Sequence, residues 1–217
     1  MSASPETNAQ LAGLYALTPD DNLLPRLSAL VDSALQGGVK WVQYRNKTAP
    51  APLRRAQAIE LLRICRARGA KLIINDDVWL AVEIGADGVH LGKSDIPGGG
   101  LATARDALGS KRILGVSCYD DLDRAAAAVA AGADYIAVGS VFASVTKPEA
   151  TRVSLDTLTA AKQRFKVPVV AIGGITTKNA PQVLAAGADM VAVMADLFNA
   201  MDIKAHAEKF RKLFKPS

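Results

Sequence analysis

Gly85-Ala86-Asp87, Gly132-Ala133-Asp134 and Gly187-Ala188-Asp189 are three copies of one tripeptide, and each separates an amphipathic stretch from a short apolar run. Glycine supplies the left-handed residue that closes a helix, so each copy reads as a helix cap followed by a tight turn into a strand. Gly37-Gly38-Val39-Lys40 does the same before Trp41. Working outward from these junctions, strands are expected at Leu14–Thr18, Trp41–Arg45, Leu72–Asn75, Gly88–Leu91, Ile113–Cys118, Tyr135–Gly139, Val169–Gly173 and Met190–Val193. Helices are expected at Leu27–Gln36, Leu53–Arg68, Val78–Gly85, Leu101–Leu108, Leu122–Ala131, Leu155–Phe165, Ala180–Ala186 and Ile203–Leu213. Strands that are apolar throughout are buried on both faces, as in a parallel sheet covered by helices. Helix-to-strand turns are short and alike, whereas strand-to-helix turns are longer and polar. Eight such units of about 25 residues define an α/β chain folded as a single (β/α)8 TIM barrel, with an open doubly wound sheet as the runner-up. No linker divides the chain. Residues 1–10 are expected to be a loose tail and residues 11–217 one barrel domain.

Composition narrows the class. Of 217 residues, 50% are hydrophobic and 22% charged, the balance of a globular protein large enough to fold without disulfides. Cys65 and Cys118 form no CxxC pair, which predicts buried thiols in a reducing cytoplasm. The start, Met-Ser-Ala-Ser-Pro-Glu-Thr, lacks the basic and apolar regions of a signal peptide. No apolar run approaches the roughly 18 residues of a membrane span. The net charge of +5 suits anionic metabolites, while scattered Lys and Arg without interleaved aromatics argue against nucleic acid.

In a barrel of this kind the active site forms where the strands end. Gln43, Arg45 and Lys47 alternate along the second strand, so all three can face the mouth as an anion-binding rim; a solvated strand end is the competing reading. Asn75-Asp76-Asp77 ends the third strand, and Asp95 follows the fourth. Asp77 suits a helix N-cap. Asp76 and Asp95 suit a Mg²⁺ shared with substrate phosphates. Gly88-Val89-His90-Leu91-Gly92-Lys93-Ser94 imitates a phosphate loop but is one residue short between its glycines. His90 is expected to be a packed, hydrogen-bonded core residue, and His206 to lie at the surface. Ser117 reads as a ligand contact rather than a nucleophile, with Cys118 packed beside it. Ser144-Val145-Thr146-Lys147 can form a phosphate loop, or a generic one. Gly173-Gly174 and Met194-Ala195-Asp196 occupy the two loops from which barrels most often bind phosphate.

Together these segments resemble the thiamine-phosphate synthase family. Gln43-Tyr44-Arg45-Asn46-Lys47, Asn75-Asp76-Asp77, His90-Leu91-Gly92 with Asp95, Gly115-Val116-Ser117, Ser144-Val145-Thr146-Lys147-Pro148 and Ala171-Ile172-Gly173-Gly174-Ile175 run in family order across nearly the whole chain. The resemblance implies condensation of a hydroxymethylpyrimidine diphosphate with a thiazole phosphate, releasing pyrophosphate. It assigns Gln43, Tyr44, Arg45, Asn46, Lys47, Asn75, Ser117 and Lys147 to the pyrimidine diphosphate. Ser144, Val145, Thr146, Gly174, Met194 and Ala195 go to the thiazole phosphate, and Asp76 and Asp95 to Mg²⁺. Lys147, Ser117 and Arg45 would carry the electrostatic part of catalysis. The family commonly has a β-branched residue and a serine where this chain has Met194-Ala195. Partners would be these small molecules, with homo-oligomerisation open. A thiazole tautomerase of the same barrel family and a non-catalytic precursor sensor are the alternatives. The first relies on a histidine near the end of the fifth strand, where this chain has Ser117-Cys118-Tyr119; the second predicts losses among Asp76, Asp95 and Lys147.

Overall fold

A computed structural model describes residues 11–143 and 152–214. Eight parallel strands close into a barrel in sequence order. They are β1 (Gly13–Leu17), β2 (Trp41–Tyr44), β3 (Lys71–Asn75), β4 (Gly88–Leu91), β5 (Ile113–Tyr119), β6 (Tyr135–Val138), β7 (Val169–Ile172) and β8 (Met190–Val193). Between and after them lie α1 (Leu24–Gln36), α2 (Ala51–Ala67), α3 (Val78–Ile84), α4 (Gly100–Leu108), α5 (Leu122–Ala130), α6 (Leu155–Arg164), α7 (Ala180–Ala185), α8 (Ala195–Phe198) and α9 (Ile203–Arg211). The expected elements are all present, with ends shifted by a few residues. Only α8 is additional, because four residues carry no readable helical period. The expected tail, residues 1–10, lies outside the described residues.

Strand alternation sorts the core into two layers. Tyr15, Trp41, Ile73, Ile113, Tyr135, Val170 and Met190 fill the barrel, while Val42, Tyr44, Leu72, Val89, Leu114 and Val191 pack outward against the helices. Gly115 has a steric purpose here: a Cβ at that position would occupy the space of the Tyr135 ring. The interior is therefore closed by large side chains below and polar ones above.

The repeated tripeptide does more than cap helices. Gly85, Gly132 and Gly187 take φ of 70°, 86° and 101°, as the left-handed cap requires. Each following aspartate then clamps the neighbouring strand. Asp87 donates its N–H to the Leu72 carbonyl and accepts the Leu72 N–H on its carboxylate, at 3.0 and 2.9 Å. Asp134 does the same to Leu114, at 2.8 and 2.8 Å, and Asp189 to Val169, at 2.9 and 2.8 Å. Each carboxylate also meets a cation, respectively Lys71, Arg105 and Lys162. The lower rim is thus tied at β3, β5 and β7 by one device used three times, opposite the end that carries the site.

Candidate active site

At the end of β2 the alternation separates the expected anion-binding residues into two sets. Gln43 points into the barrel and donates to the Tyr15 hydroxyl at 2.9 Å. Arg45 lies at the rim, with Nη1 between the two Asp20 carboxylate oxygens at 3.1 and 3.2 Å. Its backbone N–H and C=O both pair with the Thr18 hydroxyl at 2.9 Å. Lys47 reaches Asp76 at 3.1 Å. Tyr44 and Asn46 face the other way and are buried: the Tyr44 hydroxyl donates to Gln57 Oε1, while Asn46 Nδ2 donates to the Asp21 carbonyl and to Gln57. Their side chains lock the β2 loop to α2 and to the loop after β1. Thr18, Asp20, Asp21 and Gln57 complete this scaffold, and no motif in the sequence points to them.

Asn75 stands in register beside His90 at the end of β3. Asp76 follows with φ of 66°, its N–H donated to the His90 carbonyl at 2.8 Å. Asp77 caps α3 by accepting the Leu80 N–H at 2.9 Å, as its position implied. Asp76 and Asp95 come together across the β3 and β4 loops. Burial pushes the Asp76 carboxyl above the usual carboxylate range, and the neighbouring Asp95 adds to the rise, while Lys47 opposes it. Gly92 leaves room for this approach, since a Cβ there would press on the Asp95 carboxylate. Two hard oxygen donors that repel one another, one of them paired with Lys47, fit a divalent cation that takes its remaining ligands from substrate and water.

His90 is packed and hydrogen-bonded as expected, yet its partners are unexpected. Nδ1 pairs with the Tyr135 hydroxyl at 3.0 Å and Nε2 with Ser117 Oγ at 2.8 Å. Its ring stacks on Tyr135 at 5.6 Å and 19°. Burial pulls its pKa down to about 4, with the Asp95 charge acting weakly in the opposite direction. The unfolded chain would protonate His90 near pH 6.5, and the folded chain near 4. Between those values the unfolded state holds more protons, so stability falls as pH falls through this window. The expected loss is on the order of 3 kcal/mol. Thermal midpoints of the protein and of His90→Gln between pH 7 and 4 check this: the variant should show the shallower decline, and parallel curves would contradict the assignment.

On the opposite rim Gly174 takes φ of 59°, and a Cβ there would run into the Ala143 carbonyl oxygen, so any side chain would separate the loops after β6 and β7. Here the glycine serves loop-to-loop contact as well as backbone access. Met194 and Ala195 lie at the start of α8. His206 differs from expectation: it is half-buried, packed edge-on against Phe210, with Nε2 2.7 Å from Asp196 Oδ2. Asp196 also accepts the Thr177 N–H at 3.3 Å, tying α9 to the loops after β7 and β8. Ser144, Val145, Thr146 and Lys147 lie outside the described residues. No group of three or more His, Cys, Asp or Glu side chains placed to hold a metal occurs among the described residues.

A (β/α)8 barrel whose mouth sets Gln43, Asn75 and Ser117 beside a cationic rim and a carboxylate pair is a barrel enzyme built for phosphorylated small molecules. The thiamine monophosphate synthase family model matches residues 14–197, and the chain belongs to that family. It is 50% identical over 202 residues to the thiamine-phosphate synthase of Methylococcus capsulatus, covering 93% of this chain and 89% of that one. Identity to the thiamine-phosphate synthase of Nitrosococcus oceani is 50% over 209 residues, covering 95% and 94%. Thiamine phosphate pyrophosphorylase from Pyrococcus furiosus superposes with a TM-score of 0.83 at 35% identity, covering 93% of this chain and 95% of that one. A 3-hexulose-6-phosphate synthase shares the fold alone, with a TM-score of 0.69 at 20% identity.

Proposed function

We propose that the protein joins a hydroxymethylpyrimidine diphosphate to a thiazole phosphate, giving thiamine phosphate and pyrophosphate. The observation that carries this reading is the Asp76–Asp95 carboxylate pair set within reach of Lys47, beside Arg45, Asn75 and Ser117, on one side of the mouth. Gln43, Arg45, Lys47, Asn75 and Ser117 would hold the diphosphate. Donors preorganised where negative charge develops lower the barrier to its departure. The electron-rich aminopyrimidine stabilises the cation left behind, and the thiazole nitrogen attacks it, so no protein nucleophile is needed. Asp76 and Asp95 would hold Mg²⁺, which when bound supplies positive charge against the leaving diphosphate. Lys147 would add a further cation. Gly174, Met194, Ala195 and the segment Ser144-Val145-Thr146 would take the thiazole phosphate on the far side. Tyr44 and Asn46 contribute to this site by bracing its β2 loop. Two free, buried cysteines support a reducing cytoplasmic setting.

Incubation with both substrates and Mg²⁺, followed by chromatographic assay for thiamine phosphate, tests the reading. Stoichiometric thiamine phosphate and pyrophosphate are expected. Isomerisation of the thiazole substrate without condensation would favour the tautomerase, and tight binding without turnover the sensor.

A further inference from the structure

Gln43 on β2 and Ser117 on β5 are joined through the barrel interior by three buried side chains that the proposed chemistry leaves without a role. Gln43 Nε2 donates to the Tyr15 hydroxyl at 2.9 Å, and that hydroxyl lies 2.9 Å from the Tyr135 hydroxyl. Tyr135 in turn lies 3.0 Å from His90 Nδ1, and His90 Nε2 lies 2.8 Å from Ser117 Oγ. Tyr15, Tyr135 and His90 are 2%, 1% and 6% exposed, so their polar atoms must be satisfied by one another.

Such a file has a direction. A tyrosine hydroxyl carries one proton, and a neutral imidazole carries one N–H and one acceptor nitrogen. The Gln43 amide gives a proton to Tyr15, so the Tyr15 proton goes to Tyr135, and the Tyr135 proton to His90 Nδ1. The imidazole proton then resides on Nε2 and is given to Ser117 Oγ. The opposite order would set the Tyr15 proton against the amide N–H of Gln43, two donors face to face. Ser117 Oγ, already accepting from His90, has its own proton left to give. Its strand is fixed from the other side, where Arg124 Nε donates to the Ser117 carbonyl at 2.8 Å.

We propose that this file, Gln43 to Tyr15 to Tyr135 to His90 to Ser117, makes Ser117 Oγ a committed hydrogen-bond donor to the diphosphate. Tyr15, Tyr135 and His90 are thus positioning residues that act through Ser117. The proposal rests on the reading that the diphosphate occupies this side of the mouth. It adds that a hydroxyl facing an anion gains from a fixed proton, because a serine free to rotate presents a lone pair part of the time. Hydrogen bonds to charged groups are among the stronger ones, so losing this orientation is expected to weaken anion binding by about tenfold.

Two measurements test it. The chain has only two histidines, so ¹⁵N-histidine spectra of the whole protein, with His206→Gln for assignment, report the His90 tautomer directly. The Nε2–H form is expected in the wild type, and the Nδ1–H form would overturn the proposal. Tyr135→Phe keeps the ring and removes the proton aimed at Nδ1, and should let the other tautomer appear. Calorimetry with inorganic pyrophosphate and Mg²⁺ then gives a readout besides turnover. Tyr135→Phe should weaken pyrophosphate about tenfold in the presence of Ser117 and leave it unchanged in a Ser117→Ala background. An equal loss in both backgrounds would mean a merely structural tyrosine and would reject the proposal. If Tyr135→Phe does not fold, Tyr15→Phe breaks the same file one link earlier, with the same pair of backgrounds. A wild type that makes no thiamine phosphate yet shows the Nε2–H form and the Ser117-dependent loss would overturn the proposed reaction while leaving the file intact.

Discussion

Asp76→Asn is expected to lower turnover by about 10²–10³-fold while leaving the thermal midpoint unchanged or raised. Removal of one preorganised electrostatic element typically costs this much in rate. The opposite sign for stability comes from the same residue. Asp76 is pushed above the usual carboxylate range by burial and by Asp95, which means that its charge is unfavourable in the folded protein without a cation. Asparagine removes that charge and keeps the shape. It also tolerates the left-handed backbone at φ of 66° better than most residues, so the β3 loop keeps its course. The backbone bond from Asp76 to the His90 carbonyl is untouched by the change. What is lost is the ion pair with Lys47, whose side chain is half exposed and contributes little. Asp95→Asn should lower turnover alike, and chelation by EDTA should abolish activity in the wild type until Mg²⁺ is restored. The test compares kcat at saturating substrates with scanning calorimetry on the same samples. Wild-type turnover in Asp76→Asn, or undiminished activity in EDTA, would remove the metal from the site.

The contrast between what could and could not be read from the chain follows from the range over which each feature acts. The helix-closing glycines at 85, 132 and 187 and the cap at Asp77 are local, so adjacent residues identify them. The strand clamps made by Asp87, Asp134 and Asp189 are not local. Each joins segments 15 to 20 residues apart, and only the parallel pairing of successive strands brings them together. The tyrosines at 15 and 135 sit in apolar strands and look like core, yet their hydroxyls meet across 120 residues of sequence. Arg45 and Lys47 were legible because an extended strand alternates its faces. That same period of two sends Tyr44 and Asn46 away from the mouth, so five consecutive residues divide between the rim and the scaffold that braces it. Asp20 and Thr18 escape notice for a further reason: a lone aspartate and a lone threonine on a loop carry no pattern until their partners on β2 are known.

Arg45→Ala is expected to reduce kcat/KM for the pyrimidine diphosphate by about 10²–10³-fold and to change thiazole-phosphate binding by less than about threefold. The size of the first effect follows from preorganisation. Thr18 holds the Arg45 backbone through both its N–H and its C=O, and Asp20 holds Nη1, so the guanidinium reaches the rim in a fixed pose before any ligand arrives. A cation already in place loses little freedom when the diphosphate binds and needs no rearrangement as the diphosphate departs. The asymmetry follows from the proposed division of the mouth: Arg45 ends β2, next to the carboxylates after β3 and β4, whereas Gly174 follows β7, three strands away around the barrel, and Met194 and Ala195 follow β8, two strands away. Two companion variants separate charge from placement. Arg45→Lys keeps a point charge but not the planar fork, and should recover only part of the loss. Asp20→Ala keeps the fork and frees it, together with the Lys47 N–H that Asp20 also accepts, and should cost less than Arg45→Ala while lowering the thermal midpoint only slightly, because the Asp20 carboxylate is exposed although the Arg45 side chain is mostly buried. Steady-state kinetics with each substrate varied in turn gives the split, and calorimetry with the thiazole phosphate alone gives the control. Equal losses toward both substrates would show that Arg45 supports the mouth as a whole. No loss toward the diphosphate would move the leaving group away from β2 and require the cationic site to lie elsewhere on the rim.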